Sequence, residues 1–143
     1  MTPSAELIAL ARAAVEKHAL DPALVRAVVE QESAWDAHAM RYQPAFRTRC
    51  VAPLGLTPTE EVARSILWGL MQVMGHAARE HGFQGKFLSA LCEPAAGLDI
   101  GGAVLAAKVA AVQRDLTRTL QLWNGGANPN FAAQVLARLA HYT

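Results

Sequence analysis

The sequence predicts an all-α fold, and three observations lead to this prediction. Hydrophobic residues recur at the spacing of a helix along most of the 143-residue chain. Proline or a capping residue opens several of these segments. Strand signals are absent or weak. A chain of this length can bury a core of its own, so we expect one domain, residues 1–143, of about eight helices.

The first predicted helix opens at Thr2-Pro3 and ends near His18. The apolar residues on one of its faces are Leu7, Leu10, Ala11, Ala14 and Val15.

The second predicted helix begins with Asp21 as N-cap and Pro22 at the first helical position, and it ends near Ser33. Its apolar stripe consists of Val25, Val28, Val29 and, one turn later, Glu32. A carboxylate in an apolar wall has its pKa raised, because burial disfavours the charged form, and it can then donate a proton near neutral pH. A lone glutamate at a helix end is more often solvated or paired with arginine. The residues around Glu32 must therefore decide its role.

The segment from residue 36 to 56 loses the helical period and contains Pro44, Pro53 and Gly55. We expect an extended or irregular loop there, with room for a small hairpin. After it, Thr57, Pro58 and Glu60 form a capping-box pattern that predicts a short helix to about residue 67.

The rest of the chain is predicted to be helical in five segments. The first four cover residues 70–81, 86–92, 96–114 and 116–124. Gly82 ends the first of these, and Gly125-Gly126 ends the fourth. The last helix begins at Asn128-Pro129, and its inward-facing residues are Phe131, Val135 and Leu139.

Charge and cysteine content exclude some classes of protein. Thirteen basic and twelve acidic residues give a net charge of +1, which argues against a nucleic-acid-binding protein. Arg41, Arg47 and Arg49 form a local basic run, which is either a solvated face or a contact for an anionic polymer. We expect Cys50 and Cys92 to be free thiols, although one disulfide is permitted, and their spacing does not suit a metal site.

Three motifs follow one another along the chain. They are Glu32-Ser33 at a helix end, Gly69-Leu70-Met71-Gln72, and Trp123-Asn124-Gly125-Gly126. In order and spacing this set resembles the lysozyme-like domain of the lytic transglycosylases and goose-type lysozymes. The resemblance covers about residues 21–142 and implies a lysozyme-like fold that acts on bacterial peptidoglycan.

The resemblance also implies a reaction and a site. The protein would cleave the MurNAc-β-1,4-GlcNAc bond with Glu32 as general acid and then base, and would form 1,6-anhydro-MurNAc ends. No cofactor and no metal would be needed. The residues expected to bind or orient the substrate are Ser33, Tyr42, Trp68, Met71, Gln72, Trp123 and Asn124. For Met71, packing in the core is the stronger interpretation, and each tryptophan fits the core at least as well as a sugar-binding surface.

Some positions depart from the family pattern. Gln43 stands where relatives often have glutamate, Leu67 where a serine is common, and Phe131 where a tyrosine is frequent. These changes remove possible roles at those positions.

Two alternatives remain at this stage. A lysozyme-type hydrolase would act on the same bond but would need a base to activate water, and Asp36 and Asp99 are the candidates. For Asp99, service as a helix N-cap is the stronger interpretation. The second alternative is a non-catalytic glycan-binding virion component.

We see no signal peptide at the N-terminus and no stretch that approaches the length of a membrane span. We therefore expect a monomer without membrane insertion, made in the cytoplasm, which reaches the wall after release or within a virion. A phage endolysin would fit this description.

Overall fold

The computed structural model describes residues 3–142, and this range contains eight α-helices and one small sheet. The helices are α1 (Ala5–His18), α2 (Pro22–Ser33), α3 (Pro44–Phe46), α4 (Pro58–Arg64), α5 (Gly75–Glu80), α6 (Pro94–Ala111), α7 (Leu116–Asn124) and α8 (Phe131–Leu139). The strands are β1 (Met40–Tyr42), β2 (Ile66–Trp68) and β3 (Val73–Met74). The prediction of a mostly α-helical, lysozyme-like fold is confirmed.

The first two helices begin and end largely where local chemistry predicts. The side chain of Ser4 caps α1 by accepting from the amide of Leu7, and Asp21 caps α2 by accepting from the amide of Ala23. The expected start of α1 at Thr2-Pro3 is too early, and Thr2 itself lies outside the described residues. The apolar faces of both helices meet the core, which α6 and α8 complete by packing on α1 and α2.

Helix α6 contradicts the expectation that no segment approaches the length of a membrane span. Its 18 residues have a mean hydropathy of 1.3, and a third of the helix is buried inside the protein. The buried face includes Leu98, Val104 and Leu105 and packs against α1 and α7. By length and composition alone α6 could cross a membrane, but its buried face is part of the core of this protein.

The sheet pairs strands from two segments, 36–56 and 66–74, that the sequence analysis treated as separate. β1 pairs antiparallel with β2, so that Met40 lies opposite Trp68, and β2 pairs antiparallel with β3. The hairpin expected within residues 36–56 is therefore wrong, because the partner of β1 lies beyond that segment. Strands of two and three residues are too short to show the alternation that identifies a strand.

Residues 36–56 are more regular than expected. After β1 and α3 the chain continues as a π-helical turn, Arg47–Val51, and a 3-10 turn, Ala52–Leu54. The guanidinium group of Arg47 holds this segment by bonding Glu61 of α4 and the hydroxyl group of Tyr42.

Several other helix predictions differ from the structure, among them the segment predicted at 96–114, which is α6, Pro94–Ala111. α4 ends at Arg64, α5 begins only at Gly75, residues 86–92 contain a 3-10 turn, Leu88–Cys92, and α8 begins at Phe131. Thr57 precedes α4, but its side chain makes no capping bond. Glu60, the other half of the predicted capping box, instead pairs with Arg64 and Arg79.

Candidate active site

Glu32 occupies the last turn of α2, where the apolar stripe of this helix ends. Val25, Val28 and Val29 of the stripe are fully buried, whereas Glu32 is partly buried. Ala34 and Trp35 follow with φ angles of 51° and 66°, so the chain leaves the helix abruptly. The carboxyl group thus stands at the edge of the core.

The carboxyl group of Glu32 has one hydrogen-bond donor among the described side chains. The indole Nε1 of Trp123 donates to Oε2 of Glu32 at 3.0 Å. Burial raises the pKa of Glu32 to about 7, although the Trp123 hydrogen bond and the charge of Arg41 both act to lower it. Desolvation dominates, so a large share of the Glu32 population is protonated at neutral pH. This is the property that a general acid needs.

Ser33 links the end of α2 to the second motif. Its hydroxyl group donates to the carbonyl of Leu70 at 2.8 Å, and the carbonyl of Val29 lies 3.1 Å from the same oxygen. Ser33 therefore bonds backbone groups, which fixes the Gly-Leu-Met-Gln segment against the helix that carries Glu32.

Two residues of the second motif are core residues. Leu70 is 1% exposed and Met71 is 0% exposed, so neither side chain reaches solvent. Met71 packs so close to α6 that a Cβ on Gly101 would lie 2.4 Å from its sulfur atom. This agrees with core packing, the stronger interpretation of Met71 from the sequence. Its alternative place among the substrate contacts is corrected, because a fully buried thioether cannot touch a glycan in this conformation.

Gly69 allows a close approach to protein backbone. Its φ is 72°, and a Cβ at this position would lie 2.5 Å from the carbonyl oxygen of Leu91. The close neighbour is the 3-10 turn that precedes α6.

Gln72 stabilises the turn that carries the motif. Its Nε2 donates to the carbonyl groups of Ala39, at 3.0 Å, and Gly69, at 3.1 Å, and only 9% of the residue is exposed. The backbone of Gln72 has a φ of 51°. These bonds occupy the amide nitrogen and leave the carbonyl Oε1 as the side-chain group free to accept.

Trp68 is a core residue in this structure. It is 6% exposed, and its Nε1 donates to the carbonyl of Ala63 at 2.9 Å. Its ring borders an apolar cavity of about 270 Å³ that Val62 and Phe87 also line. This position agrees with the core interpretation of Trp68 that the sequence offered, and a contact with glycan stays a prediction.

The third motif places Trp123 and Asn124 at the end of α7. Trp123 is partly buried, and its indole N–H donates a hydrogen bond to the carboxyl group of Glu32. The side-chain amide of Asn124 donates to the carbonyl of Asn128 at 2.9 Å, and Gly125 ends the helix in the left-handed conformation. The Trp123 bond was missed from the sequence because it joins residues far apart in the chain.

Arg41 and Tyr42 lie on β1, and both are exposed. Arg41 is close enough for its charge to act on Glu32. The hydroxyl group of Tyr42, a residue that is 43% exposed, accepts from Arg47 at 3.2 Å. The strand therefore places the Arg41 cation near the acid, and it also carries the exposed ring of Tyr42.

The two candidate second acids have other partners. Asp99 lies inside α6 and bonds Lys17 and His18 of α1. Burial raises its pKa, but these cationic partners outweigh burial and hold the pKa below the usual range. The N-cap of α6 is Glu93, so the expected capping role of Asp99 is wrong.

Asp36 is exposed, and its Oδ1 accepts from the backbone amide of His38 at 2.9 Å. Among the described residues, no carboxylate contributes to the pKa shift of Glu32.

Cys50 and Cys92 are free thiols, and both are partly buried. Within residues 3–142, no cluster of histidine, cysteine and carboxylate side chains could hold a metal ion.

Comparison with known families agrees with these motifs. The family model for the transglycosylase SLT domain matches residues 9–137, a range that contains Glu32, Gln72 and Asn124. Comparisons with curated proteins and with solved structures found no match. Members of the matched family are lytic transglycosylases that act on peptidoglycan. Because the match spans most of the chain, this protein belongs to the transglycosylase SLT domain family.

Proposed function

We propose that the protein is a lytic transglycosylase that cleaves the MurNAc-β-1,4-GlcNAc bond of peptidoglycan with Glu32 as its acid and base. One observation carries this proposal: burial gives the Glu32 carboxyl group a pKa of about 7, at the end of α2. A general acid works best when its pKa is close to the working pH.

In the first step, protonated Glu32 donates its proton to the glycosidic oxygen. The bond between C1 of MurNAc and that oxygen breaks, and GlcNAc leaves with a free hydroxyl group, while positive charge develops at C1. The indole of Trp123 donates to Oε2 of Glu32. The transferable proton is therefore best placed on Oε1, because Oε2 already acts as an acceptor.

In the second step, the carboxylate of Glu32 removes the proton from the C6 hydroxyl group of the same MurNAc. The C6 oxygen then attacks C1 and closes the 1,6-anhydro ring, and Glu32 ends the cycle protonated. This nucleophile is part of the substrate, so positioning it costs little entropy. Water would instead need a second base. Asp99 accepts a hydrogen bond from Lys17 of α1, and Asp36 accepts one from the backbone amide of His38. These bonds argue against either residue as the base that activates water.

We assign the binding of the glycan to Arg41 of β1 and to side-chain oxygens of the second and third motifs. The side-chain oxygens of Gln72 and Asn124 can accept hydrogen bonds from N-acetyl or hydroxyl groups. Arg41 is an exposed cation near the acid, and it suits the carboxylates of the stem peptides.

Digestion of purified peptidoglycan tests this proposal. The released muropeptides are analysed by mass spectrometry after reaction in ¹⁸O-labelled water, with the Glu32→Gln variant as control. We expect ends that are one water lighter than reducing ends and that carry no label. Reducing ends with incorporated ¹⁸O would make the protein a lysozyme-type hydrolase. Binding without release would make it a glycan-binding component.

A further inference from the structure

A chain of hydrogen bonds connects the two sides of the site and closes on Glu32. It starts at Gln31, the neighbour of Glu32, whose Nε2 donates to Oε1 of Gln134 at 3.0 Å. Asn128 donates to the same Oε1 at 2.8 Å. The carbonyl group of Asn128 accepts from Asn124 at 2.9 Å.

The backbone links between neighbouring residues complete the path back to Glu32. Asn124 follows Trp123 directly, and the indole of Trp123 donates to Glu32 at 3.0 Å. The route from Gln31 through Gln134 of α8 and back to Glu32 is thus a closed ring, and we call it the Gln134 ring.

Gln134 is the only member of the Gln134 ring that lies on α8, and its carbonyl oxygen accepts from both sides. Among the described residues its own Nε2 has no partner. The acceptor oxygen is therefore the part of Gln134 that the ring requires. A carboxylate could replace it, whereas an aliphatic side chain could not.

Arg138 of α8 reinforces the same end of α2. Its Nε donates to Oε1 of Gln31 at 2.7 Å, and its Nη1 donates to Oε1 of Glu30 at 2.5 Å. Glu30 also accepts from the hydroxyl group of Tyr142. Gln31 is thus fixed on both of its amide atoms, and the side chain cannot rotate without breaking one of these bonds.

We propose that Gln134 is a positioning residue, which aligns the end of α2 with the turn after α7 so that the Trp123 indole stays directed at the Glu32 carboxyl group. The inference rests on the proposed function for its catalytic consequence, but not for the alignment itself. The two helix ends come from distant parts of the sequence, and the hydrogen bond between them depends on a distance and an angle that the Gln134 ring constrains.

The proposal predicts a specific defect when the acceptor is lost. If the end of α7 drifts, the Trp123 bond lengthens and the ionised form of Glu32 loses a donor. The pKa of Glu32 then rises further, because that hydrogen bond acts to lower it. Turnover falls as well, since the acid no longer holds one orientation towards the glycosidic oxygen.

The experiment compares Gln134→Leu with Gln134→Glu, which keeps the acceptor. Gln31→Leu cuts the ring on its other side, and Gln84→Leu is the control, because Gln84 is an exposed glutamine outside the ring. Two properties are measured on each full-length variant. The first is kcat and KM on soluble peptidoglycan across pH. The second is the pH titration of the Trp123 indole N–H resonance, assigned with a Trp123→Phe variant.

We expect Gln134→Leu and Gln31→Leu to lower kcat about 10-fold with little change in KM. The midpoint of the indole titration should move to higher pH in the same two variants. Gln134→Glu should keep kcat within about 2-fold of the original protein and should keep the midpoint. Gln84→Leu should change neither property.

The proposal is overturned if Gln134→Leu lowers only the melting temperature and leaves the titration midpoint and kcat unchanged. It is equally overturned if Gln134→Glu is as defective as Gln134→Leu. The proposed function can fail separately. If the original protein releases no muropeptides while Gln134→Leu still moves the indole midpoint, the alignment stands and the transglycosylase assignment falls.

Discussion

Trp123 donates the indole N–H to Oε2 of Glu32 at 3.0 Å, across 91 positions of the sequence. This bond joins the end of α7 to the end of α2 and so connects the first and third sequence motifs. It opposes the effect of burial on the pKa of Glu32, which nevertheless reaches about 7. The balance between the two effects sets the pH range in which the acid is protonated.

The first prediction concerns this balance. Trp123→Phe removes the donor but keeps an aromatic ring, so the pKa of Glu32 should rise above its present value of about 7. Because the acid must be protonated, the alkaline limb of kcat/KM should move to higher pH. A pH–rate profile on purified peptidoglycan measures this shift. Trp68→Phe is the matched control, since Trp68 bonds Ala63 and not the acid. An alkaline limb that stays in place in Trp123→Phe would contradict the prediction.

The second prediction concerns the acid itself. Glu32→Gln keeps nearly the same size and can still accept from Trp123, but the amide cannot donate an acidic proton. Cleavage should fall by about 10²-fold to 10⁴-fold, the usual contribution of a general acid. Turbidity loss of purified cell walls and a circular dichroism spectrum would be measured together. Near-original activity in a folded variant would show that the acid lies elsewhere.

Local capping chemistry made α2 predictable from the sequence. Asp21 and Pro22 define its start without help from the rest of the chain, and the helical spacing places Glu32 at the end of the buried stripe. The position of the candidate acid could therefore be predicted from residues within three turns of it.

Contacts between distant segments could not be predicted in this way. β3 has two residues and pairs only because β2 lies beside it, so residues 70–74 looked like the start of α5. Asp99 pairs with Lys17 and His18, and Gln134 accepts a hydrogen bond from Gln31. No local sequence pattern predicts these partners. Met71 lies in a motif that suggests substrate contact, and Trp68 lies near it in the sequence. The sequence left both a core role and a substrate contact open for these residues, and their packing against distant elements places them in the core.

The third prediction separates the two neighbours in the second motif. Met71→Ala should lower the free energy of unfolding by about 2 to 5 kcal/mol, because it leaves a cavity in the core. Met40→Ala is the control, since Met40 is 56% exposed and its loss should cost less than about 0.5 kcal/mol. Urea denaturation measures both. Equal effects of the two substitutions would show that Met71 is not a core residue.

The fourth prediction concerns Gln72. Its side chain satisfies two backbone carbonyl groups, so Gln72→Ala should cost about 1 to 3 kcal/mol of stability in addition to any loss of turnover. This cost is greater than the sequence alone suggests, because the motif indicates only a substrate contact. Urea denaturation and kcat would be measured on the same preparation. Unchanged stability would contradict the structural role.

The last prediction concerns the stability cost of burying Glu32. Its folded pKa of about 7 lies above the ordinary value of 4.5. Below the ordinary pKa, Glu32 is protonated in both folded and unfolded chains, and no charge is buried. As the pH rises from about 4.5 to about 7, the unfolded chain releases this proton first, so ionisation of Glu32 makes unfolding more favourable. Above about pH 7 this loss of folding stability is complete, and it no longer changes with pH.

Glu32→Gln does not titrate, so it should be more stable than the original protein by an amount that grows through this window. The difference should grow by roughly 3 to 4 kcal/mol between pH 4.5 and about pH 7 and then level off, since each pKa unit corresponds to about 1.4 kcal/mol. Urea denaturation from pH 4 to pH 8 measures it, and Glu16→Gln on the exposed face of α1 corrects for the removal of a surface carboxylate. A difference between Glu32→Gln and the original protein that does not change with pH would mean that Glu32 ionises as easily in the folded protein as in the unfolded chain. Such a result would remove the physical basis for treating it as the acid.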